Sequence, residues 1–274
     1  MGIVNVTPDS FSDGGRFLHH QTAVEHGLKL MEQGADLIDV GGESTRPGAR
    51  TVPADEETER ILKVVQDLAG HHRLPVSIDT QKAEVAQQAL AAGACVINDV
   101  SGLHADPEMI RLAASCTVGL VVMHMQGTPQ TMQQRPQYED VVAEVRGFFC
   151  ERLSLCEQHG VDPARVMFDP GIGFGKKLEH NLALLQAGQA LRVADRPILI
   201  GHSRKSLLGE LIGDRSMDER KWPSVALSAY LALQGADWLR VHDVQECRDA
   251  ARMAQAIATF KPTCDSKTEI VKTD

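Results

Sequence analysis

The sequence predicts an α/β protein folded as a single eight-stranded (β/α)8 TIM barrel. Three observations carry that reading. Short apolar runs alternate with amphipathic helical stretches eight times, a pattern that demands parallel strands with helical crossovers. The chain has 274 residues, near the roughly 250 typical of such barrels. No run is followed by the G-x-G-x-x-G turn of a dinucleotide-binding open sheet, which leaves an open doubly wound sheet as the alternative.

The strand candidates, in order, are Gly2–Val6, Asp36–Val40, Pro75–Ile78, Cys95–Ile97, Gly119–Met123, Val166–Phe168, Pro197–Ile200 and Trp238–Val241. Helical stretches between them include Thr22–Gln33, Asp55–Leu68, Lys82–Ala92, Asp140–His159 and Ser224–Gln234. Asp55, Glu56 and Glu57 put negative charge at a helix start, where the helix dipole favours it. Three helices share one stop signal. Gln33-Gly34-Ala35-Asp36, Ala92-Gly93-Ala94-Cys95 and Gln234-Gly235-Ala236-Asp237 each end a helix on glycine and enter a strand. No second domain is visible: the barrel is expected over residues 1–260, and the polar stretch 261–274 as a disordered tail.

Composition narrows the function classes. Lys and Arg total 28 against 37 Asp and Glu, a formal charge of −9, with two Trp and two Tyr for base stacking. A nucleic-acid partner is not expected on that balance, and an anionic substrate needs a local basic pocket. The six cysteines form no CxxC pair and no zinc-spaced cluster. Cys95, in an apolar run, reads as reduced core, and the expected compartment is the cytoplasm. The start Met1-Gly2-Ile3-Val4 does not read as a signal peptide, and no apolar run reaches the roughly 20 residues that span a bilayer, so no membrane partner is expected.

In a barrel the chemistry sits where strands end. Those positions deliver Asn5; Gly41-Gly42-Glu43-Ser44-Thr45-Arg46-Pro47-Gly48; Asp79; Asn98-Asp99; Met123-His124-Met125; Asp169-Pro170-Gly171; Ser203-Arg204-Lys205-Ser206; and Arg240-Val241-His242-Asp243. Each also has a plain structural reading. Asp79 before Thr80 suits a helix N-cap, Asn98 a turn, the Ser203–Ser206 segment a solvated basic loop, and His124 and His242 hydrogen-bonded structural histidines. From chemistry alone, their convergence on one barrel face implies an anionic small-molecule site.

Longer segments are more specific. NVTPDSFSDGG at Asn5–Gly15 and DVGGESTRPGA at Asp39–Ala49 resemble the two signature segments of the dihydropteroate synthase family of pterin-binding barrels. INDVSG at Ile97–Gly102, MHMQGTPQTMQ at Met123–Gln133, DPGIGFGK at Asp169–Lys176, SRKS at Ser203–Ser206 and RVHDV at Arg240–Val244 follow in the family's order. The resemblance spans about Met1 to Thr259.

That resemblance implies a folate-pathway transferase and sulfonamide target. It would join 6-hydroxymethyl-7,8-dihydropterin diphosphate to 4-aminobenzoate by a dissociative substitution. It implies a pterin slot lined by Asp79, Asn98, Met123, Asp169 and Lys205. Asp169 would accept the ring's adjacent amino and N–H donors, because a carboxylate matches two parallel donors. Asp79 and Asn98 would complete the ring's polar edge, and Lys205 would donate to its carbonyl. Diphosphate would lie among Asn5, Arg240 and His242, with magnesium on the Asn5 oxygen, since that ion prefers oxygen ligands and keeps waters. Thr45, Pro47 and Phe174 would flank 4-aminobenzoate, and Ser206 at a helix start would meet its carboxylate. Asp9, Ser10, Phe11, Ser44 and Arg46 would sit on mobile loops. Asp79, Asp169, Lys205, Arg240 and His242 would carry catalysis, and a homodimer follows by family analogy.

The chain departs from the family's pattern in two places. Family members have a segment before the first strand, whereas Met1-Gly2 here opens the strand itself, an expectation that touches stability rather than the active face. Trp222-Pro223 stands before Ser224 where small residues are usual. Two other readings share the pterin slot: a pterin-dependent methyltransferase domain and a non-catalytic pterin-binding barrel. SRKS and the paired loops favour the synthase.

Overall fold

The computed structural model describes residues 1–7 and 16–261. The loop residues Asp9, Ser10 and Phe11 and the tail beyond Lys261 lie outside the described residues. Eight parallel strands appear in the expected order: β1 Gly2–Asn5, β2 Ile38–Gly41, β3 Val76–Asp79, β4 Val96–Asp99, β5 Gly119–Met123, β6 Val166–Asp169, β7 Leu199–Gly201 and β8 Trp238–Arg240. The first six form one sheet and the last two a second. Two parallel bridges, Phe168↔Ile198 and Gly2↔Val241, join these sheets at both edges and close the cylinder.

The helices are α1 Arg16–Glu32, α2 Ala54–Val65, α3 Ala83–Ala91, α4 Glu108–Ser115, α5 Val141–Gln158, α6 Leu178–Ala187, α7 Ser206–Ile212, α8 Lys221–Leu233 and α9 Val244–Thr259. The three glycine stop signals behave alike: Gly34, Gly93 and Gly235 have φ of +92°, +112° and +83°. Only a residue without Cβ takes that conformation at little cost.

Strand residues alternate between two environments, as the period of two requires. Val4, Ile38, Val40, Ile78, Ile97, Leu120, Val122, Phe168 and Ile200 pack outward with the helices in the main core. The other set points into the barrel. Met1, Leu37, Val121 and Leu199, with Val96, Met167 and Trp238, form a separate apolar cluster at the barrel floor. Two residues further along five of the strands this inward set turns polar or loses its side chain: Leu37 gives way to Asp39, Val96 to Asn98, Met167 to Asp169, Leu199 to Gly201 and Trp238 to Arg240, while Val121 on β5 is followed by the apolar Met123. The apolar layer keeps water from below, so the polar layer above it opens at one end only.

Two expectations are corrected. Cys95 is exposed, because it precedes β4 in the connection from α3 at the floor end; among the described residues the buried cysteines are Cys156 and Cys247. Asp55, Glu56 and Glu57 do lie in the first turn of α2, where Glu57 is also fully buried and ion-paired with Lys82. Asp79 does not cap a helix, since α3 starts at Ala83 after Lys82.

Candidate active site

The barrel mouth is organised around Arg240. Its Nε donates to Asp39 Oδ2 at 2.6 Å and one Nη to Asp79 Oδ2 at 2.7 Å, reaching across the interior from β8 to β2 and β3. Asn98 Nδ2 donates to the same Asp39 oxygen at 3.0 Å, which orients the amide and leaves its Oδ1 as an acceptor. Asp39 is wholly buried, and Asp79 and Asn98 nearly so. Burial pushes the Asp79 carboxyl up to about 7; Arg240 opposes the shift and Asp39 reinforces it. The guanidinium, although burial works against its charge, is held above its ordinary value by Asp39 and Asp79. Among the described residues, Asp79 Oδ1 and Asp39 Oδ1 are buried and have no hydrogen-bond partner.

Strand register places the neighbouring groups. Asp79 lies beside Asn98, Met123 beside Asp169, and Asn5 beside Gly41, which in turn lies beside Asp79. Asp169 ends β6 and accepts the Gly171 N–H at 2.7 Å. Gly171 has φ of +67°, and a Cβ there would stand 1.9 Å from the His124 carbonyl oxygen. The Asp-Pro-Gly turn is thus a close backbone approach that fixes one carboxylate oxygen and turns the other toward Gly201. Burial raises the Asp169 carboxyl, opposed by Lys205 and by that N–H. At Gly201 a Cβ would lie 3.7 Å from Asp169 Oδ2 and 3.9 Å from the Arg240 side chain. Its absence leaves a flat opening between carboxylate and guanidinium.

Lys205 reaches this opening from the far side. Its ammonium donates to the Ile172 carbonyl and stands 4.4 Å from the centre of the Phe174 ring, a cation–π contact. Burial lowers it to about 8, with Asp169 resisting. Its turn is held by neighbours. Arg204, at φ +58°, donates through Nε and Nη to both oxygens of Asp243 at 3.0 and 2.8 Å, and its N–H donates to Ser224 Oγ at 2.9 Å. Ser203 Oγ accepts the His242 N–H at 3.2 Å and lies 3.0 Å from its ring Nδ1. Burial, with Arg240 and Arg204 adding to it, lowers His242 to about 3, so its ring is neutral at physiological pH.

Of the residues singled out in the sequence, Asp79, Asn98, Met123, Asp169, Lys205 and Arg240 share this pocket. Asn5 stands half-buried at its edge. Thr45, Arg46 and Pro47 are not drawn into it: they sit on the loop after β2, with Arg46 and Pro47 exposed and an Arg46 Nη 3.4 Å from Met217 Sδ. Ser206 is exposed at the start of α7. Trp222 is a surface residue, 67% exposed with Lys221 over its ring, whereas Ser224 in the same turn is what touches Arg204. His202 is a buried neutral ring 2.8 Å from Ser228 Oγ on α8.

Sequence reasoning missed three residues here. Asp39 had a signal, an acid in the middle of a strand whose neighbours are all apolar or glycine. Lys176 had none. It is buried and donates to the His124 and Phe174 carbonyls, its Nζ also 3.0 Å from His124 Nδ1, and burial takes it to about 7. Lys82 meets Glu43 and Glu57 beneath the loop after β2.

Metal binding can be judged from the donor set. Among the described residues no group of three or more His, Cys, Asp or Glu is placed to hold a metal ion. The mouth offers one neutral amide oxygen, at Asn5, which suits a hard cation held mainly by substrate oxygens and water.

Comparison with known proteins gives a consistent result. The family model described as pterin binding enzyme matches residues 1–242. The chain is 43% identical over 257 residues to a dihydropteroate synthase of Synechocystis, covering 94% of this chain and 89% of that one. It superposes with a TM-score of 0.89 on a Xanthomonas albilineans dihydropteroate synthase with 4-aminobenzoic acid, at 47% identity and coverage of 95% and 93%. A structure of the synthase from the same organism in complex with 7,8-dihydropteroate gives a TM-score of 0.86 at 43% identity, with coverage of 95% and 94%.

Proposed function

We propose a division of labour that starts from a plain premise: the chain belongs to the pterin binding enzyme family, among its dihydropteroate synthases, and condenses 6-hydroxymethyl-7,8-dihydropterin diphosphate with 4-aminobenzoate. The observation that carries the assignment of roles is the inward polar layer. It has three buried carboxylates, Asp39, Asp79 and Asp169, one guanidinium and the Lys205 ammonium above a sealed apolar floor.

The pterin ring lies in the opening left by Gly201. Asp169 accepts the amino group and adjacent ring N–H; a carboxylate already bonded to Gly171 keeps further lone pairs for this. Asp79 Oδ1 and Asn98 Oδ1 accept the ring's remaining donors, and Lys205 donates to the ring carbonyl. Met123 supplies an apolar wall. A site built on buried polar groups rejects analogues that leave them unpaired.

The bond from the pterin methylene to the diphosphate oxygen breaks first, its electron pair leaving with diphosphate. The cation that remains is spread over the ring, beside Asp79 and Asp169, which favour it in their ionised form. The amine of 4-aminobenzoate is neutral at pH 7 and attacks that carbon with its lone pair. The resulting anilinium loses its proton to solvent, so no strong base is needed. Thr45, Pro47 and Phe174 flank the amine's ring and Ser206 meets its carboxylate, with Ser44 and Arg46 on the closing loop.

Diphosphate is received at Asn5, Arg240 and His242. Arg240 spends two of its five N–H donors on Asp39 and Asp79. His242 brings no charge; in the tautomer in which the Ser203 hydroxyl donates to Nδ1, the ring presents its Nε2–H to diphosphate. The leaving group's charge is therefore poorly matched by protein alone, and we assign a magnesium ion to the Asn5 oxygen. When bound, it would neutralise phosphate oxygens and lower the cost of their departure. We also propose a homodimer through α8 and α9, where Leu233, Met253, Ile257 and Phe260 are 52% to 73% exposed. No helix among the described residues is long and apolar enough to cross a membrane. The five described cysteines are free thiols, in keeping with a reducing compartment, the cytoplasm.

Incubating the chain with both substrates and magnesium tests the reading. It predicts diphosphate and 7,8-dihydropteroate in equal amounts. Diphosphate release unaccompanied by pteroate would contradict it.

A further inference from the structure

The loop after β2 is anchored by a buried ion cluster that the reaction does not use. Glu43 is its centre. Its Oε1 accepts the Val52 N–H at 2.8 Å, tying together the two ends of the loop that runs from Gly42 to Pro53. Its Oε2 accepts from Lys82 Nζ at 2.7 Å. The same ammonium donates to Glu57 Oε2, in the first turn of α2, at 2.5 Å. The side chains of Glu43, Lys82 and Glu57 are 10%, 22% and 0% exposed. Burial works against the Lys82 charge, but the two carboxylates outweigh it and hold the ammonium above its ordinary value. Gly42 permits the approach: a Cβ there would lie 2.7 Å from Ile61 and 3.0 Å from the Glu57 side chain. Arg60 Nη1 adds a bond to the Gly42 carbonyl at 2.9 Å.

Between these anchors, residues 44–51 are held more lightly. Gly48 N–H meets the Pro129 carbonyl at 3.2 Å, Gln130 Nε2 meets Thr51 Oγ1 at 2.9 Å, and both partners belong to the loop after β5. The charged bonds are thus at the stems, whereas the tip is tied to the loop after β5 by neutral bonds alone. Lys82 itself lies three residues after Asp79, so the clamp is referenced to the pterin-binding strand end.

We propose that Lys82 is a positioning residue for the second substrate: by bridging Glu43 and Glu57 it fixes the base of the 44–51 loop so that Thr45 and Pro47 stand where 4-aminobenzoate docks. The inference rests on the reading that Thr45 and Pro47 flank that substrate. Without the bridge, the loop visits its docking position for a smaller fraction of the time. The apparent affinity then falls by the same factor, about tenfold if that fraction drops to a tenth. Pterin binding, made by strand ends, is untouched.

The test is steady-state kinetics of the full chain with magnesium, comparing Lys82→Met, Lys82→Arg and Thr45→Ala with the parent. Lys82→Met raises the KM for 4-aminobenzoate about tenfold and leaves that for pterin diphosphate within about twofold, and Lys82→Arg restores most of the loss. Trypsin supplies a second readout. Arg46 precedes proline and resists cleavage, so the loop is cut after Arg50, and faster in Lys82→Met. If unpaired carboxylates keep that variant from folding, Lys82→Met with Glu57→Gln removes one stranded charge while still breaking the bridge. Both KM values rising together, or neither changing, overturns the proposal. An unchanged 4-aminobenzoate KM in Thr45→Ala, with faster cleavage in Lys82→Met, instead removes the docking reading and leaves the clamp.

Discussion

Replacing Arg240 with methionine strips the counter-charge from two buried carboxylates. The guanidinium makes bonds of 2.6 and 2.7 Å to Asp39 and Asp79, one wholly buried and the other 7% exposed. Breaking a buried pair from one side costs about 3–5 kcal/mol. At ~2–4 °C per kcal/mol for a domain of this size, the melting temperature at pH 8 falls by roughly 6–20 °C. The loss depends on pH. Burial already holds the Asp79 carboxyl up at about 7, and Arg240 is what restrains it. A raised carboxyl contributes stability that is present below its unfolded value, near 4, and is lost as pH rises through its folded value. Removing Arg240 raises the folded value further, so variant and parent converge toward pH 5.5, where Asp79 takes up a proton and donates it toward Asp39. Scanning calorimetry of both proteins at pH 5.5 and pH 8 is the assay. A gap of the same size at both pH values would show that lost packing, not stranded charge, explains the effect, and would refute the electrostatic reasoning.

Other expectations follow from the same geometry. Asp169→Asn keeps the Gly171 bond through its amide oxygen but turns an N–H toward the ring's own donors. Calorimetry should show pterin affinity reduced by about 3 kcal/mol or more in a folded protein, and unchanged affinity would remove Asp169 from the slot. Activity is lost on chelation and restored by magnesium; full turnover after exhaustive chelation would exclude the metal. 4-Aminobenzoate binds measurably only once magnesium diphosphate is present, because Arg46, exposed on the loop after β2, offers a charge that diphosphate can recruit to close that loop. Equal affinity in titrations with and without magnesium diphosphate would point to a preformed site, and Arg46→Ala should weaken use of 4-aminobenzoate more than pterin binding.

What the sequence reveals and what it hides have separable physical causes. Strand positions were legible because each apolar run is short and closed by glycine or a polar residue, and all eight lie within a few residues of the observed strands. The polar residues at strand ends were legible for the same reason. Asp39 was harder: it lies one turn of the pleat below the mouth, and its partner Arg240 is 201 residues away. Lys82 and Glu43 come from two connections and Glu57 from the first turn of α2, and nothing local marks their meeting. Cys95 shows the converse error, since an apolar run gives no sign of where burial begins at the floor end of a strand. The neutral state of His242 was not legible, because it comes from burial and from Arg240 and Arg204, which the fold brings close to it.

The central claim is that the carbon–oxygen bond breaks before the amine attacks, in a site whose carboxylates favour the pterin cation. Placing oxygen-18 in the bridge between the pterin methylene and phosphorus tests it most directly. Substrate is held on the enzyme with magnesium and no 4-aminobenzoate, then recovered. The account predicts movement of the label from the bridging to a non-bridging position, and loss of that movement in Asp169→Asn. A label that stays in the bridge, in enzyme that makes 7,8-dihydropteroate normally once 4-aminobenzoate is added, would contradict it.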